Sequence, residues 1–171
     1  MLLVRAASPS DADVLAPRLR SQDLQEIHAA DGRDPLLVLR EGVAASDPCF
    51  AVLNSAGAPV ALFGAIPDPA DARRAKVWLL GTPELLQHRR FVLRMSRLWT
   101  EKLHERYAVL WNFVDARNQV HLRWLEWCGF RFLRLVEHFG FEQRPFYEFE
   151  RVHGTGTART ERSLRYQRVE F

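Results

Sequence analysis

The sequence predicts an α/β domain in which a mixed β-sheet is flanked by helices, followed by an extended C-terminal tail. Short apolar segments of strand length alternate with longer segments of helical periodicity, in the order β-α-α-β-β-β-α-β-α-β. The 171 residues, 47% of them hydrophobic, are enough for one domain with its own core. The composition changes to Gly, Thr and Arg near residue 153. We therefore predict a domain over 1–152 and a basic tail or arm over 153–171.

The first half of the domain is predicted to hold a strand, two helices and a hairpin. Ser8, with Asp11 three residues later and Pro9 at the first helical position, is typical of a helix start. Gly57 supplies the turn of the hairpin. The predicted elements are a strand over 2–7, helices over 8–20 and 34–46, and hairpin strands over 49–54 and 60–66.

The second half is predicted to follow a Pro- and Asp-rich loop with a third strand of the same sheet and one long helix. The apolar stripe of this helix has helical spacing and consists of Leu85, Val92, Met95, Trp99 and Leu103. Gly140 predicts a bend or loop between two closing strands. The predicted elements are strands over 75–80, 108–114 and 145–151, and helices over 81–107 and 118–128, the last of them apolar nearly all round. Its tryptophans Trp124 and Trp127, and Trp111 before it, are predicted core residues.

Charge and cysteine usage exclude several classes of protein. Residues 1–150 carry 19 basic and 19 acidic side chains, so the net charge of +3 comes from Arg151 onward, where five arginines stand against two glutamates. A neutral domain does not favour nucleic-acid binding.

No apolar run approaches the roughly 18 residues needed to span a bilayer. Cys49 and Cys128 lack the spacing of a metal site or a disulfide framework, and no secretory signal is recognised, so we expect a cytosolic protein without a metal.

The segment around residues 114–130 carries a family resemblance. A strand is followed by Asn118 and then by a helix that closes on Gly129 and Phe130. With the order of elements over roughly 1–150, this resembles the GNAT (Gcn5-related N-acetyltransferase) superfamily. The segment YAVLWNFVDARNQVHLRWLEWCGFRF, with WLLGT before the long helix, is similar to GNAT-like internal virion proteins of short-tailed phages. The resemblance implies either of two functions.

The first is a phage virion structural or assembly protein that uses the GNAT-like fold as a scaffold, requires no cofactor and has lost or weak catalysis. Such a protein is made in the host cytoplasm and becomes virion-associated. The alternative is an active acetyl-CoA-dependent N-acetyltransferase acting on an amine substrate. The first is favoured because the positions that the resemblance assigns to the cofactor loop and to the acid are altered.

The cofactor loop implied by the resemblance lies at the start of the long helix, where backbone N–H groups and the helix dipole meet the pyrophosphate. The family pattern is Gln or Arg, two residues, Gly, one residue, then Gly or Ala, and we align it with residues 78–83, which keep one glycine. Pro83 then removes an N–H donor and Glu84 adds a carboxylate near the phosphates. Thr82 and Pro83 also form a good structural helix start. The candidate cofactor-binding residues are Gly81, Thr82, Arg89 and Asn118.

The catalytic positions are altered as well. The resemblance implies a tyrosine acid seven residues after the asparagine, but Leu125 stands there and has no proton to give. Glu26, His28 and Asp115 remain as possible bases, and His121 is expected to be a packed residue. Asn118 has two compatible roles, as the N-cap of its helix and as a contact of the cofactor.

The tail supplies the candidate partner-binding residues. Its arginines recur at every third position, which forms no single patch in a helix or a strand, so a solvated tail is the default interpretation. Residues 164–171 alternate large and charged side chains, and we hypothesise that they add to a sheet edge of another virion or assembly protein. The predicted contacts are Arg159, Arg162, Arg165, Tyr166, Arg168 and Phe171.

Overall fold

The structure is a computed structural model that describes residues 2–154. The strands within this range are β1 (Leu3–Ala6), β2 (Cys49–Leu53), β3 (Pro59–Pro67), β4 (Arg74–Gly81), β5 (Val109–Asp115), β6 (Arg131–Phe139) and β7 (Arg144–Val152). The helices are α1 (Pro9–Leu15), α2 (Ser21–Asp31), α3 (Pro35–Ala45), α4 (Glu84–Gln87), α5 (Arg89–His104) and α6 (Gln119–Trp127). A short 3₁₀ turn, Ala16–Arg18, extends α1.

The strands form one mixed sheet in the order β1-β2-β3-β4-β5-β7-β6. Strands β4 and β5 are parallel, and every other neighbouring pair is antiparallel. One face of the sheet packs against α1, α2 and α3 around Leu15, Leu39 and Leu62. The other face packs against α5 and α6 around Leu103 and Leu125. The predicted fold class is therefore confirmed.

Several local predictions are also confirmed. Asp11 accepts a hydrogen bond from the Ser8 N–H at 2.7 Å, which satisfies a donor at the start of α1. Gly57 has φ of +77° in the turn between β2 and β3, a conformation that glycine adopts without steric cost. Gly140, with φ of +66°, lies in the turn that joins β6 and β7.

Three features differ from the predicted elements. Helix α2 was not predicted, because its buried face consists mainly of Asp23, Ile27 and Ala29 and gives a weak apolar pattern. The predicted long helix is interrupted at His88, and strand β6 adds an edge to the sheet. The side chains of β6 are mostly exposed or half-buried, so they produce little apolar alternation.

The helix predicted to be apolar nearly all round is only buried on one side. Leu122 and Leu125 of α6 are buried, but Val120 is 59% exposed. Trp127 is 46% exposed, so its assignment to the core is wrong. Its ring lies under the Arg97 guanidinium, 4.1 Å from the ring centroid, and its indole N–H donates to the Leu93 carbonyl at 3.1 Å. These surface contacts explain how a large aromatic side chain is held outside the core.

Candidate functional site

The centre of the sheet opens where β4 and β5 separate. The parallel ladder pairs only Arg74–Lys76 with Val109–Trp111, although β4 continues to Gly81 and β5 to Asp115. On its other edge β4 remains paired with β3 over its length, without a register shift. The gap therefore arises because β5 diverges from an otherwise regular strand.

Asn112 ends this ladder with its side chain. Its Nδ2 donates to the Val77 carbonyl at 2.7 Å, and its Oδ1 accepts from the Phe113 N–H at 2.8 Å. The amide thus satisfies the two backbone groups that a further rung of the ladder would join. Because alternate residues of a strand turn their backbone groups to the same edge, the N–H and C=O of Leu79 also face the gap.

A cavity of about 430 Å³ runs through this gap and reaches both faces of the sheet. On the α5 face it is bounded by apolar side chains such as Phe63, Met95 and Trp99. On the opposite face it reaches Trp78 of β4 and the inner sides of α2 and α3. Its mainly apolar lining with few polar groups is typical of a small-molecule site.

Three polar side chains from α2 and α6 meet in this site. Asn118 caps α6 by accepting from the His121 N–H at 3.2 Å, and its Nδ2 donates to Glu26 Oε2 at 3.0 Å. The His121 Nδ1 lies 3.9 Å from the same carboxylate oxygen. The side chains of Glu26 and His121 are only 18% and 16% exposed. The N-cap role predicted for Asn118 is confirmed, and the same amide also holds Glu26.

The structure distinguishes among the three predicted bases. Glu26 lines the cavity. His28 is exposed and lies 3.5 Å from Glu142, outside the cavity. Asp115 is buried at the end of β5 and binds the Arg117 guanidinium, which neutralises it. Glu26 is therefore the one of the three that is placed to act in the cavity.

Leu125, Trp124 and the two cysteines supply neither an acid nor a nucleophile to the site. Leu125 is buried in the core cluster, so the position of the family's acid carries no acid. The Trp124 Nε1 donates to the Ser96 hydroxyl at 2.9 Å. Burial raises the pKa of Cys128 and of Cys49 to about 11, so neither thiol is a thiolate nucleophile at neutral pH.

Gly81 and Thr82 do not begin the long helix, and the predicted Thr82 cap is wrong. Gly81 is the last residue of β4, and its N–H donates to Asp23 Oδ2 at 2.8 Å. The buried Thr82 donates its N–H to the Val60 carbonyl at 2.8 Å. A single turn, α4, follows, and α5 begins only at Arg89. The role of Gly81 and Thr82 in cofactor binding remains a prediction.

The observed start of α5 changes the assessment of the phosphate site. The family pattern now falls on residues 87–92, with Gln87 in place and with Arg90 and Val92 at the two small positions. Glu84 lies back in α4, where its carboxylate accepts from Asn54 Nδ2 at 3.1 Å. The first turn of α5 contains no acidic residue. The objections raised by Pro83 and Glu84 therefore do not apply to this helix start.

A second cavity, of about 230 Å³, connects the start of α5 with the gap. Arg89 lines it at the α5 end, and Val120 and His121 line it from α6. His121 and Leu79 line both cavities. Of the four candidate residues, Arg89 lines the second cavity and Asn118 contacts the cavity residue Glu26, while Gly81 and Thr82 lie in buried backbone contacts.

Sequence reasoning missed the roles of Asn112 and His121. A polar residue inside the apolar strand AVLWNFV was the available signal for Asn112. The packed role expected for His121 rested on the absence of a nearby carboxylate, and Glu26 supplies one from a helix that was not predicted. The six tail residues predicted to bind partners, from Arg159 to Phe171, lie outside the described residues.

Among residues 2–154 no cluster of three or more His, Cys, Asp or Glu side chains is arranged to hold a metal ion. In the same range, no helix has the length and apolar character required to cross a bilayer.

Solved structures provide the comparison with known proteins, because no protein-family model and no curated protein sequence matches the chain. A GNAT superfamily phosphinothricin acetyltransferase from Sinorhizobium meliloti, solved with AcCoA, is 16% identical over 92% of this chain and 91% of its own, with a TM-score of 0.69. Spermidine N-acetyltransferase from Vibrio cholerae, solved with CoA and spermine, is 15% identical over 88% and 95%, with a TM-score of 0.66. A Bacillus subtilis acetyltransferase solved with CoA is 12% identical over 89% and 99%, with a TM-score of 0.63.

These similarities show that the chain has the fold of the GNAT acetyltransferases. They give no specific likeness to phage virion proteins, so that part of the resemblance remains a prediction.

Proposed function

We propose that this GNAT-fold protein transfers an acetyl group from acetyl-CoA to an amine. The observation that carries the proposal is the opening between β4 and β5, which leads to the cavity carboxylate Glu26, held by Asn118. An extended ligand in such a site can bond free backbone groups, and it lies beside the Glu26 carboxylate, which is held in position to act as a base. The fold by itself does not establish the activity, so the proposal depends on these groups.

The residues along the gap fit an extended thioester ligand. The N–H and C=O of Leu79 face the gap without a ladder partner in β5, so they can bond the amides of a ligand as an added strand would. At the start of α5, free N–H groups and the Arg89 guanidinium suit a diphosphate. Acetyl-CoA would supply the activated acetyl group when bound there.

Glu26 provides the chemistry for the acceptor. Its carboxylate accepts a proton from the amine nitrogen as the N–C bond forms and the C–S bond of the thioester breaks. The hydrogen bond from Asn118 orients the carboxylate toward the cavity. The other two cavity carboxylates, Asp31 and Glu41, are both paired with Arg33, so Glu26 is the carboxylate of the cavity lining placed to attract a cationic amine.

A calorimetric titration with acetyl-CoA, with CoA as the control ligand, tests binding first. Micromolar affinity is expected, and transfer is then followed as thiol release in the presence of a panel of primary amines. The Glu26→Gln variant should bind acetyl-CoA as the wild type does but release thiol at least 100-fold more slowly. Absence of binding at millimolar acetyl-CoA would refute the proposed function.

The virion assembly role predicted from the sequence has no specific support among residues 2–154. Its predicted contacts lie in the tail, and the solved structures compared above are acetyltransferases. This assembly role remains a prediction. Truncation of the chain at His153 tests it directly. The truncated chain should fold but fail to join its assembly, and normal incorporation would contradict the prediction.

A further inference from the structure

We infer that His121 donates the proton that the departing sulfur of the thioester requires, while Glu26 receives the proton of the amine. This inference rests on the proposed acetyl transfer and assigns a second catalytic residue to the same site. It answers the chemical problem posed by Leu125, since a thiolate leaving into an apolar cavity needs an acid and this position has none.

The first argument is the state of the His121 ring. Its Nδ1 is buried and has no hydrogen-bond partner in the described part of the chain. A packed structural histidine normally has both ring nitrogens satisfied, because a buried polar atom without a partner is unfavourable. The helix cap does not require the ring, since Asn118 Oδ1 accepts from the His121 backbone N–H. An unpaired nitrogen at a cavity wall therefore indicates a functional position.

The second argument is the location of the ring. His121 lines both the cavity in the gap and the cavity that leads to the start of α5. It lies one helical turn before Leu125 on α6, so the two side chains lie on the same side of the helix. The Trp124 ring, with its centroid 5.3 Å from that of His121, supports the imidazole from the side. The thioester sulfur of a ligand that crosses from one cavity to the other must pass this ring.

The third argument is the distance to Glu26. The His121 Nδ1 lies 3.9 Å from Glu26 Oε2, longer than a hydrogen bond but close enough for one to form after a small rotation of either side chain. With Nδ1 turned to Glu26, the opposite nitrogen, Nε2, is the one left for the sulfur. In enzymes without bound substrate, the two groups of a catalytic pair are often separated by such a distance.

The protons balance over one turnover. Glu26 takes a proton from the amine as nitrogen bonds to the acetyl carbon, and protonated His121 gives its Nε2 proton to the sulfur as the C–S bond breaks. The carboxylic acid of Glu26 then loses its proton to water, and Nε2 of the neutral imidazole regains one from water, since Nδ1 keeps its own proton toward Glu26. The net transfer is one proton from the amine to the thiol.

The test compares two acyl donors that differ in leaving group. His121→Gln retains a polar side chain of similar length but cannot act as an acid, and Arg123→Gln on the exposed side of α6 is the matched control. With acetyl-CoA, kcat/KM of His121→Gln should fall about 100-fold. With S-(4-nitrophenyl) thioacetate, whose thiolate leaves without protonation, the loss should be less than about threefold, and Arg123→Gln should match the wild type with both donors.

Two results would overturn the assignment of His121: an equal loss of kcat/KM with both donors, or no loss with acetyl-CoA. Circular dichroism and thermal melting of each variant establish that the comparison is made between folded proteins. The failure of the proposed function is distinguishable, because it appears in the wild type as no transfer from acetyl-CoA to any amine. If the wild type transfers the acetyl group but His121→Gln loses kcat/KM equally with both donors, the assignment of His121 as the acid is rejected while the proposed function stands.

Discussion

The side-chain amide of Asn118 donates to the Glu26 carboxylate at 3.0 Å, across 92 positions of sequence. The same amide caps α6 through its oxygen. One residue therefore fixes the start of α6 and aims the carboxylate that α2 brings to the cavity. The link between Asn118 and Glu26 is a feature of the tertiary structure.

Replacing Asn118 by Ala should reduce both stability and catalysis. Loss of the N-cap is expected to cost about 1 kcal/mol in the free energy of unfolding. Loss of the hydrogen bond to Glu26 should lower kcat for thiol release about tenfold, with little change in the affinity for the amine. Urea denaturation and steady-state kinetics measure the two effects. Asn118→Asp keeps the cap acceptor but places a like charge next to Glu26. Its free energy of unfolding should therefore stay close to that of the wild type while its kcat falls. A variant that loses stability but keeps kcat would contradict the positioning role.

Asn112 is predicted to hold the gap open. The Asn112→Ala variant leaves the Val77 carbonyl and the Phe113 N–H without their partner, at an expected cost of about 1–3 kcal/mol in the free energy of unfolding. Affinity for acetyl-CoA, measured by calorimetry, should fall with it. Asn112→Asp keeps the acceptor for Phe113 but turns a carboxylate oxygen toward the Val77 carbonyl, so it should be destabilised at least as much. Unchanged stability in Asn112→Ala would show that the backbone repairs the ladder without the side chain.

Arg89 is predicted to contact the phosphates of CoA from the start of α5. Arg89→Gln should weaken CoA binding about fivefold, corresponding to ~1 kcal/mol. Pantetheine, which lacks the diphosphate, should bind both proteins equally, and the difference for CoA should shrink at high salt. Arg94→Gln, one turn further along the exposed side of α5, is the control. Equal weakening in Arg94→Gln would indicate a diffuse charge effect in place of a contact.

His104 should make the domain sensitive to acid. Burial lowers the pKa of its imidazole, with Arg151 and His153 opposing protonation and Glu101 favouring it. The Nδ1 N–H donates to the Tyr107 carbonyl at 2.9 Å, while Nε2 is buried without a hydrogen-bond partner among residues 2–154. Because the unfolded chain binds the proton more readily, this contribution is complete above a pH of about 6.5 and is lost as the pH falls toward the lower folded pKa.

Urea denaturation at pH 8, 6.5 and 5 checks this expectation through the free energy of unfolding. The His104→Asn variant keeps a donor for the Tyr107 carbonyl but does not titrate, so its stability should fall less between pH 6.5 and 5. If the free energy of unfolding falls equally with pH in the variant and the wild type, the acid sensitivity belongs to other groups.

Elements with local signals were predictable from the sequence. The start of α1 at Ser8 and Asp11, the turn at Gly57 and the cap at Asn118 depend on residues within four positions of one another. The interruption at His88 has no comparable signal, since residues 84–103 keep a helical apolar stripe through it. Only the packing of β4 against β3 and α2 decides where Gly81 and Thr82 end the strand and where α5 begins.

The sequence by itself determined the layers of this protein, because apolar periodicity, caps and turns are local properties that each segment carries alone. It also determined that the family's acid position is apolar, which follows from Leu125. The site depends on tertiary packing. Glu26 and His121 are separated along the chain, and they approach each other because α2 and α6, on opposite faces of the sheet, both reach the gap that begins at Asn112. Such an approach arises from packing between distant segments, which no local pattern encodes.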